Sequence, residues 1–362
     1  MKIMHVCETV TGGIATYLNN VVGEQARRPE VEEVSVLLPS SQLDEINLGD
    51  IGGLNSKIHL LGFGGDGRLQ RLRHLASRLR GAIGDARPDV VHVHSTFAGF
   101  LCRTLPISFH GAKLIYQPHG VAFDPHRISG LKKHGIQWVE KALYQRTDGV
   151  VAISEYEQAL LAQAGMGDKS LLIKNCVRDT REVIGEGRKE DFYLFIGRFD
   201  RQKGFDHLYE FWGEDRPPLK IVGGNVVDAE AGFADRDNME FLGWLDNATL
   251  DGLIARAKAL IVPSRWEGFG LVVLEAYRNG TPVICSNRGA LPELVSHGET
   301  GFVFDFDDFA ASLATVMTKF DECDQQVMGQ RCRDCYERDF SPTSMNAELM
   351  KLYQPHELLP AS

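Results

Sequence analysis

Residues 261–276 read Ile261-Val262-Pro263-Ser264-Arg265-Trp266-Glu267-Gly268-Phe269-Gly270-Leu271-Val272-Val273-Leu274-Glu275-Ala276. The apolar run before Pro263 predicts a buried strand, the glycines a tight turn, and Leu271 onward a helix that starts at the strand's C-terminal edge. Gly268 and Gly270 let backbone N–H groups come close to a ligand, and a helix start adds unpaired donors with partial positive charge. Such a turn seats an anion. Two carboxylates beside it, Glu267 in the turn and Glu275 in the helix, would weaken a seat for phosphate alone. They suit a ligand that also carries hydroxyls, because each charge-assisted hydrogen bond contributes about 1.5–3 kcal/mol. A nucleotide sugar offers both kinds of group. The plainer alternative is a helical glutamate and a solvated turn residue with no ligand.

Working outward, strand-like and helix-like segments alternate on both sides. Strands are predicted at 2–7, 34–39, 57–61, 90–94, 113–117 and 149–154, with helices at 13–27, 69–83 and 131–144 between them. A second series has strands at 192–196, 219–222, 239–242, 259–262, 282–286 and 302–305. Residues 175–190 between the two series turn polar and glycine-bearing, a composition suited to a linker. Alternation of this kind means crossovers and parallel sheets, so the expected architecture is α/β, with two doubly wound domains facing across a cleft and ligands at the C-terminal strand ends. A chain of 362 residues also exceeds a typical single core.

Composition narrows the function. At 43% hydrophobic and 24% charged residues the chain is an ordinary globular protein rather than a disordered one. Net charge is −10, which argues against a general nucleic-acid binder. The first 180 residues carry 20 Lys+Arg against 18 Asp+Glu, and the rest carry 19 against 31, so the acidity lies in the second half. No apolar run approaches the roughly 20 residues needed to span a bilayer, and Met1 leads into a strand rather than a signal peptide. The expected location is cytoplasmic. Seven scattered cysteines build no disulfide framework, and Cys332 and Cys335 fall inside a predicted helix where neither redox nor zinc chemistry is set up.

Several shorter motifs end strands. Gly12-Gly13 opens a helix and either admits a phosphate or sugar ring or makes a plain turn. His92 and His94 alternate on one strand face; a metal would need a third ligand that the sequence does not announce, so satisfied histidines are the expectation. Tyr116-Gln117-Pro118-His119-Gly120 places His119 at a strand end, where it could donate to a hydroxyl or phosphate or cap the strand. Gly197-Arg198-Phe199-Asp200 through Lys203-Gly204 puts two cations where they could reach a diphosphate and neutralise a leaving group. The segment 68–80 has an apolar stripe of Leu69, Leu72, Leu75 or Ala76, and Leu79, flanked by Arg71 and Arg78 on one side and Arg73 and Arg80 on the other. It reads either as an interfacial helix on an anionic membrane or as a surface helix packed on its own sheet.

Taken together, these pieces resemble the family 4 retaining glycosyltransferases of the GT-B fold. The resemblance rests on Gly12-Gly13, the Gly197 to Gly204 run, the E-x7-E pair Glu267 and Glu275 with its Gly-Phe-Gly, and Thr300-Gly301-Phe302-Val303. Val91-His92-Val93-His94-Ser95 with Pro118-His119-Gly120 is similar to members that build bacterial surface polysaccharides. The resemblance implies that Arg198 and Lys203 hold the donor diphosphate and that Glu275 meets the ribose. Glu267 and the backbone of Gly268, Phe269, Gly270 and Leu271 would hold donor sugar and phosphate, with Gly197 and Gly13 beside the diphosphate and His119 beside the reacting sugar. It further implies an acceptor-binding Rossmann-like domain at 1–180, a donor-binding one at 181–340, and a terminal helix at 341–362 that returns to the first domain. Lys174-Asn175-Cys176 departs from the Pro-Asn-Gly often found at the first domain's end.

The expected activity is transfer of a hexose-type sugar from a nucleoside diphosphate, taken as uridine, to a saccharide or lipid-linked saccharide acceptor, without a metal or other cofactor. The alternatives are a catalytically silent nucleotide-sugar-binding subunit and another enzyme of the same architecture, such as an epimerase. Peripheral contact with the inner face of an anionic membrane through Arg68 and the arginines up to Arg80 is a separate expectation.

Overall fold

The structure, a computed structural model, describes residues 1–47, 56–180, 189–224, 233 and 236–354. Half of the expected linker, 181–188, and the end of the expected terminal segment, 355–362, lie outside the described residues. The chain divides into two compact units, Met1–Val177 with Pro342–Ser362, and Arg178–Ser341. The break between them falls just before the expected boundary at 180.

In the first unit the chain runs β1 (Lys2–Cys7), α1 (Gly13–Arg27), β2 (Glu33–Pro39), β3 (Ile58–Phe63), α2 (Arg68–Ala86), β4 (Val90–His94), α3 (Thr96–Thr104), β5 (Lys113–Gln117), α4 (Gly130–Tyr144), β6 (Gly149–Ala152), α5 (Glu155–Gln163) and β7 (Ser170–Leu172). These strands form one parallel sheet in the order β3-β2-β1-β4-β5-β6-β7. Strand order reverses direction beside β1, and that reversal opens a crevice at the strands' C-terminal ends. One face of the sheet is covered by α1 and by α12 (Pro342–Tyr353), which bury Tyr17, Leu18, Val21, Leu349, Met350 and Tyr353 against Ile3 and Val34. The other face takes Leu75, Leu79, Ala82 and Ile83 of α2 against Met4, Val91 and Val93.

The second unit has β8 (Tyr193–Ile196), α6 (Phe205–Phe211), β9 (Leu219–Val222), β10 (Met239–Gly243), α7 (Asn247–Arg256), β11 (Ala259–Val262), α8 (Leu271–Arg278), β12 (Val283–Ser286), α9 (Leu291–Leu294), β13 (Gly301–Phe304), α10 (Phe309–Asp321) and α11 (Gln325–Asp339). Its sheet order is β10-β9-β8-β11-β12-β13, again parallel, with the reversal between β8 and β11. Its core is aromatic, with Tyr193, Phe195, Phe205, Trp212, Phe304 and Phe320 fully or almost fully buried.

Some elements escaped the sequence pattern. β7 pairs at the sheet edge with only three residues, too few to show a period. α5 has weak amphipathicity, yet its start carries a readable sign: Ser154 accepts from the backbone N–H of Glu157 at 3.0 Å. Cys332 and Cys335 both lie within α11, and the Cys332 thiol is buried 3.2 Å from the Thr300 carbonyl. The stripe on α2 is spent on the core, since Leu75 and Leu79 are fully buried while Leu69 stays 64% exposed. Among the described residues no helix is long and apolar enough to cross a membrane.

Candidate active site

The reversal in the second sheet sets two loops side by side. β8 ends into Gly197-Arg198-Phe199-Asp200, and its neighbour β11 ends into the turn that carries Glu267. The Lys203 Nζ donates to Glu267 Oε2 at 2.9 Å, with the two side chains 20% and 12% exposed. Arg198 takes a different partner set: its guanidinium lies 2.9 Å from Asp200 Oδ2 and donates to Gln202 Oε1 at 3.2 Å. Gln202 in turn donates to the Trp266 carbonyl at 3.3 Å, so both cations are tied to the Trp266-Glu267 turn. Arg265 braces the same junction with a bidentate pair to Asp206 at 2.8 and 2.6 Å.

Glycines make this approach sterically feasible. Gly204 caps α6 at φ +69, and a Cβ there would collide with the Pro263 carbonyl. Gly270 caps α8 at φ +105, in the left-handed region where glycine pays no penalty, leaving the first turn of α8 without a side-chain cap. Gly197 lies against the Lys203 stem, and a Cβ on Gly223 would strike the Gly197 carbonyl. Glu275 faces the same end from α8. Burial raises its carboxyl pKa, Arg278 and Lys203 pull it back, and Asp251 adds to the rise. The unit thus presents an open helix start, two cations and two carboxylates at one sheet end, a donor set for phosphate and hydroxyls together.

In the first unit the strand ends carry a different chemistry. β1 and β4 pair with His5 opposite His92 and Cys7 opposite His94, and β5 brings Gln117 opposite His94. His5, His92 and His94 are fully buried. His119 follows β5 with φ +55, a left-handed conformation uncommon outside glycine, and Ser95 after β4 has φ +70. Such strain persists only where the surroundings hold it. Gly13, also expected at the site, begins α1 as an exposed residue after Gly12, whose φ of +56 requires glycine's freedom.

Two family models cover nearly the whole chain: the Glycosyl transferase 4-like domain matches residues 12–176 and Glycosyl transferases group 1 matches 177–334. An uncharacterised 41.2 kDa protein in the cps region of Klebsiella pneumoniae is 31% identical, covering 98% of this chain and all of that one. The chain belongs to the family 4 glycosyltransferases. A GDP-mannose:cellobiosyl-diphosphopolyprenol alpha-mannosyltransferase of Xanthomonas campestris is 26% identical over 87% of this chain and 86% of its own. Among solved structures, sucrose-phosphate synthase from Thermosynechococcus elongatus superposes with a TM-score of 0.79 at 21% identity, covering 98% of each chain. HepE of Anabaena in complex with UDP does so at 0.75 and 19%, over 97% of this chain and 99% of that one. The fold of this glycosyltransferase is therefore GT-B.

Sequence reasoning missed several supports of these strand-end loops. A Cβ on Gly289, at φ +59, would collide with the Glu267 backbone, and the Ala290 N–H donates to the Glu267 carbonyl at 3.0 Å. The Ser-Asn-Arg-Gly run that ends β12 was a readable turn signal; its partner was not. Glu157 accepts from the Gly120 N–H and the Ile153 N–H, each at 2.8 Å, and so holds the loop after His119. Burial raises the Glu157 pKa to about 7, against the opposing pull of those N–H groups.

The third ligand missing from the His92 and His94 pair is His5: ring nitrogens of the three lie within 4.8 Å of one another. They fit a metal poorly. His5 Nδ1 is already hydrogen-bonded to His94 Nε2 at 2.9 Å, and no carboxylate acts on any of the three, so a divalent ion would leave its charge uncompensated in a buried site.

Proposed function

We propose that this glycosyltransferase moves a hexose-type sugar from a nucleoside diphosphate to a saccharide or lipid-linked saccharide acceptor in polysaccharide biosynthesis, with retention of anomeric configuration. The observation that carries the donor reading is the Lys203 to Glu267 pair at 2.9 Å beside the uncapped start of α8. Lys203 is placed to shift from the carboxylate to the diphosphate and to stabilise the charge that develops as the glycosidic bond breaks. Arg198 adds a second cation, and Glu275 is offered to the ribose hydroxyls. Glu267, freed from Lys203, accepts from sugar hydroxyls. We assign His119 to the reacting sugar. These groups supply the leaving-group stabilisation that a metal supplies elsewhere, and on this reading none is needed.

Retention follows from front-face displacement, in which the departing phosphate takes the proton of the incoming hydroxyl; no carboxylate among the described residues is set up as a nucleophile beside a second one acting as acid. A uridine donor is favoured by the likeness to HepE, whose solved form holds UDP, while the Xanthomonas relative is named for GDP-mannose. Thermal stabilisation by a panel of UDP-, GDP- and ADP-sugars, followed by NMR of the product's anomeric configuration, tests base and stereochemistry together. Donor binding with neither transfer nor slow donor hydrolysis would favour a silent binding subunit.

Peripheral contact with an anionic membrane is a separate proposal, supported by exposed Leu69 among the exposed Arg68, Arg73, Arg78 and Arg80 of α2. Sedimentation with phosphatidylserine vesicles at low and high salt tests it, and absence of binding at low salt removes it.

A further inference from the structure

The buried histidines of the first unit form an unbroken line. Gln25 Oε1 lies 2.9 Å from His5 Nε2, His5 Nδ1 lies 2.9 Å from His94 Nε2, and His94 Nδ1 lies 2.9 Å from His119 Nε2. Gln25 and Tyr17 reach down from α1, and Tyr353 of α12 closes the cluster with its hydroxyl 2.6 Å from His92 Nδ1. Every member except His119 is fully or almost fully buried. Burial holds His5, His94 and His119 well below the ordinary imidazole pKa, with no carboxylate to oppose it, so each ring is neutral near pH 7 and carries a single N–H.

A line of neutral imidazoles has a direction, set by its end. A side-chain carbonyl oxygen can only accept, so Gln25 Oε1 requires the hydrogen of His5 on Nε2. In the structure Oε1 is the atom of the Gln25 amide that faces His5. With its hydrogen on Nε2, His5 offers Nδ1 as an acceptor; His94 must then donate from Nε2 and accept at Nδ1, and His119 must donate from Nε2. Among the described residues nothing bonds to His119 Nδ1.

We propose that Gln25, His5 and His94 are positioning residues whose hydrogen-bond relay locks His119 in the Nε2–H tautomer, so that its Nδ1 lone pair accepts a hydrogen bond from a sugar hydroxyl. This replaces the donor role that the sequence left open for His119. The relay also accounts for the left-handed backbone at His119: the ring bond to His94 on one side and the Glu157 bond to the Gly120 N–H on the other hold a conformation that residues other than glycine rarely adopt. The link to a sugar rests on the assignment of His119 to the reacting sugar; the tautomer itself does not.

The deciding measurement is a long-range ¹H–¹⁵N spectrum of the histidine rings of the full chain at pH 7.5, assigned by His5→Gln, His94→Gln and His119→Gln. The Nε2–H tautomer at His5, His94 and His119 supports the relay; an Nδ1–H or doubly protonated ring at His119 overturns it. In a second arm, Gln25→Met removes the terminal acceptor and should scramble the His119 tautomer and lower kcat roughly tenfold at unchanged donor KM, the size typical of outer positioning groups. A Gln25→Met protein that folds with the tautomer unchanged also overturns the relay, and if it fails to fold the wild-type spectrum still decides. Full transfer activity in His119→Ala would instead refute the assignment of His119 to the sugar.

Discussion

Replacing Lys203 by methionine keeps the stem that packs on Gly197 and removes only the ammonium. The lost partner lies 2.9 Å away, and both side chains are mostly but not wholly buried. The stability cost should therefore fall between an exposed pair and a fully buried one, roughly 1–3 kcal/mol. Transfer should suffer more, because a preorganised charge facing the leaving group is worth roughly 10²–10³ in kcat, or about 3–4 kcal/mol. The assay is donor turnover by purified protein, with a thermal melt to confirm folding. Lys203 could also act merely by neutralising Glu267, and a double variant separates the two roles. If neutralisation were all, Lys203→Met with Glu267→Gln would recover the activity lost by Lys203→Met relative to Glu267→Gln alone. If Lys203 meets the diphosphate, the double variant stays at least as inactive as either single one. Turnover by Lys203→Met within a few-fold of wild type would refute the diphosphate assignment outright.

Further outcomes follow from the same geometry. Gly289→Ala should lose roughly 2–4 kcal/mol by urea denaturation, from left-handed strain plus the collision with Glu267, and should raise the donor KM if it folds. Tyr353→Phe removes the hydroxyl bonded to His92 and should cost about 1 kcal/mol in the same assay. The pH profile has a defined sign. His5 is lowered from 6.5 to about 4, so its neutral form contributes stability above pH 6.5 that is lost as pH falls toward 4, about 3 kcal/mol in all. Glu157, raised to about 7, works in the opposite direction, costing stability as pH rises from 4.5 to 7. Glu275 is raised as well, but His92, His94 and His119 act in the same direction as His5, so the four histidines outweigh the two carboxyls and unfolding at pH 4.5 should need less urea than at pH 7.5. An equal midpoint at both values would contradict neutral buried histidines.

What the sequence determined by itself was local. Short apolar runs located every strand of the second sheet to within a residue or so, and the glycines around Phe269 announced a turn into a helix, because a run of apolar side chains and a left-handed φ are properties of neighbouring residues. Family membership was legible for a similar reason, being carried by short motifs. Strand order was another matter. That β8 lies beside β11, so that Lys203 meets Glu267, and that β1 lies beside β4, so that His5 joins His92 and His94, follows from crossovers whose destinations no local spacing encodes. Gly289 and Gln25 were invisible as site residues for the same cause: each acts on a partner reached only through packing. Tertiary structure alone joined His5 to His94 and His119 in a directed line, because hydrogen-bond polarity is fixed by the end group, and that end group is a glutamine on a helix laid across the sheet.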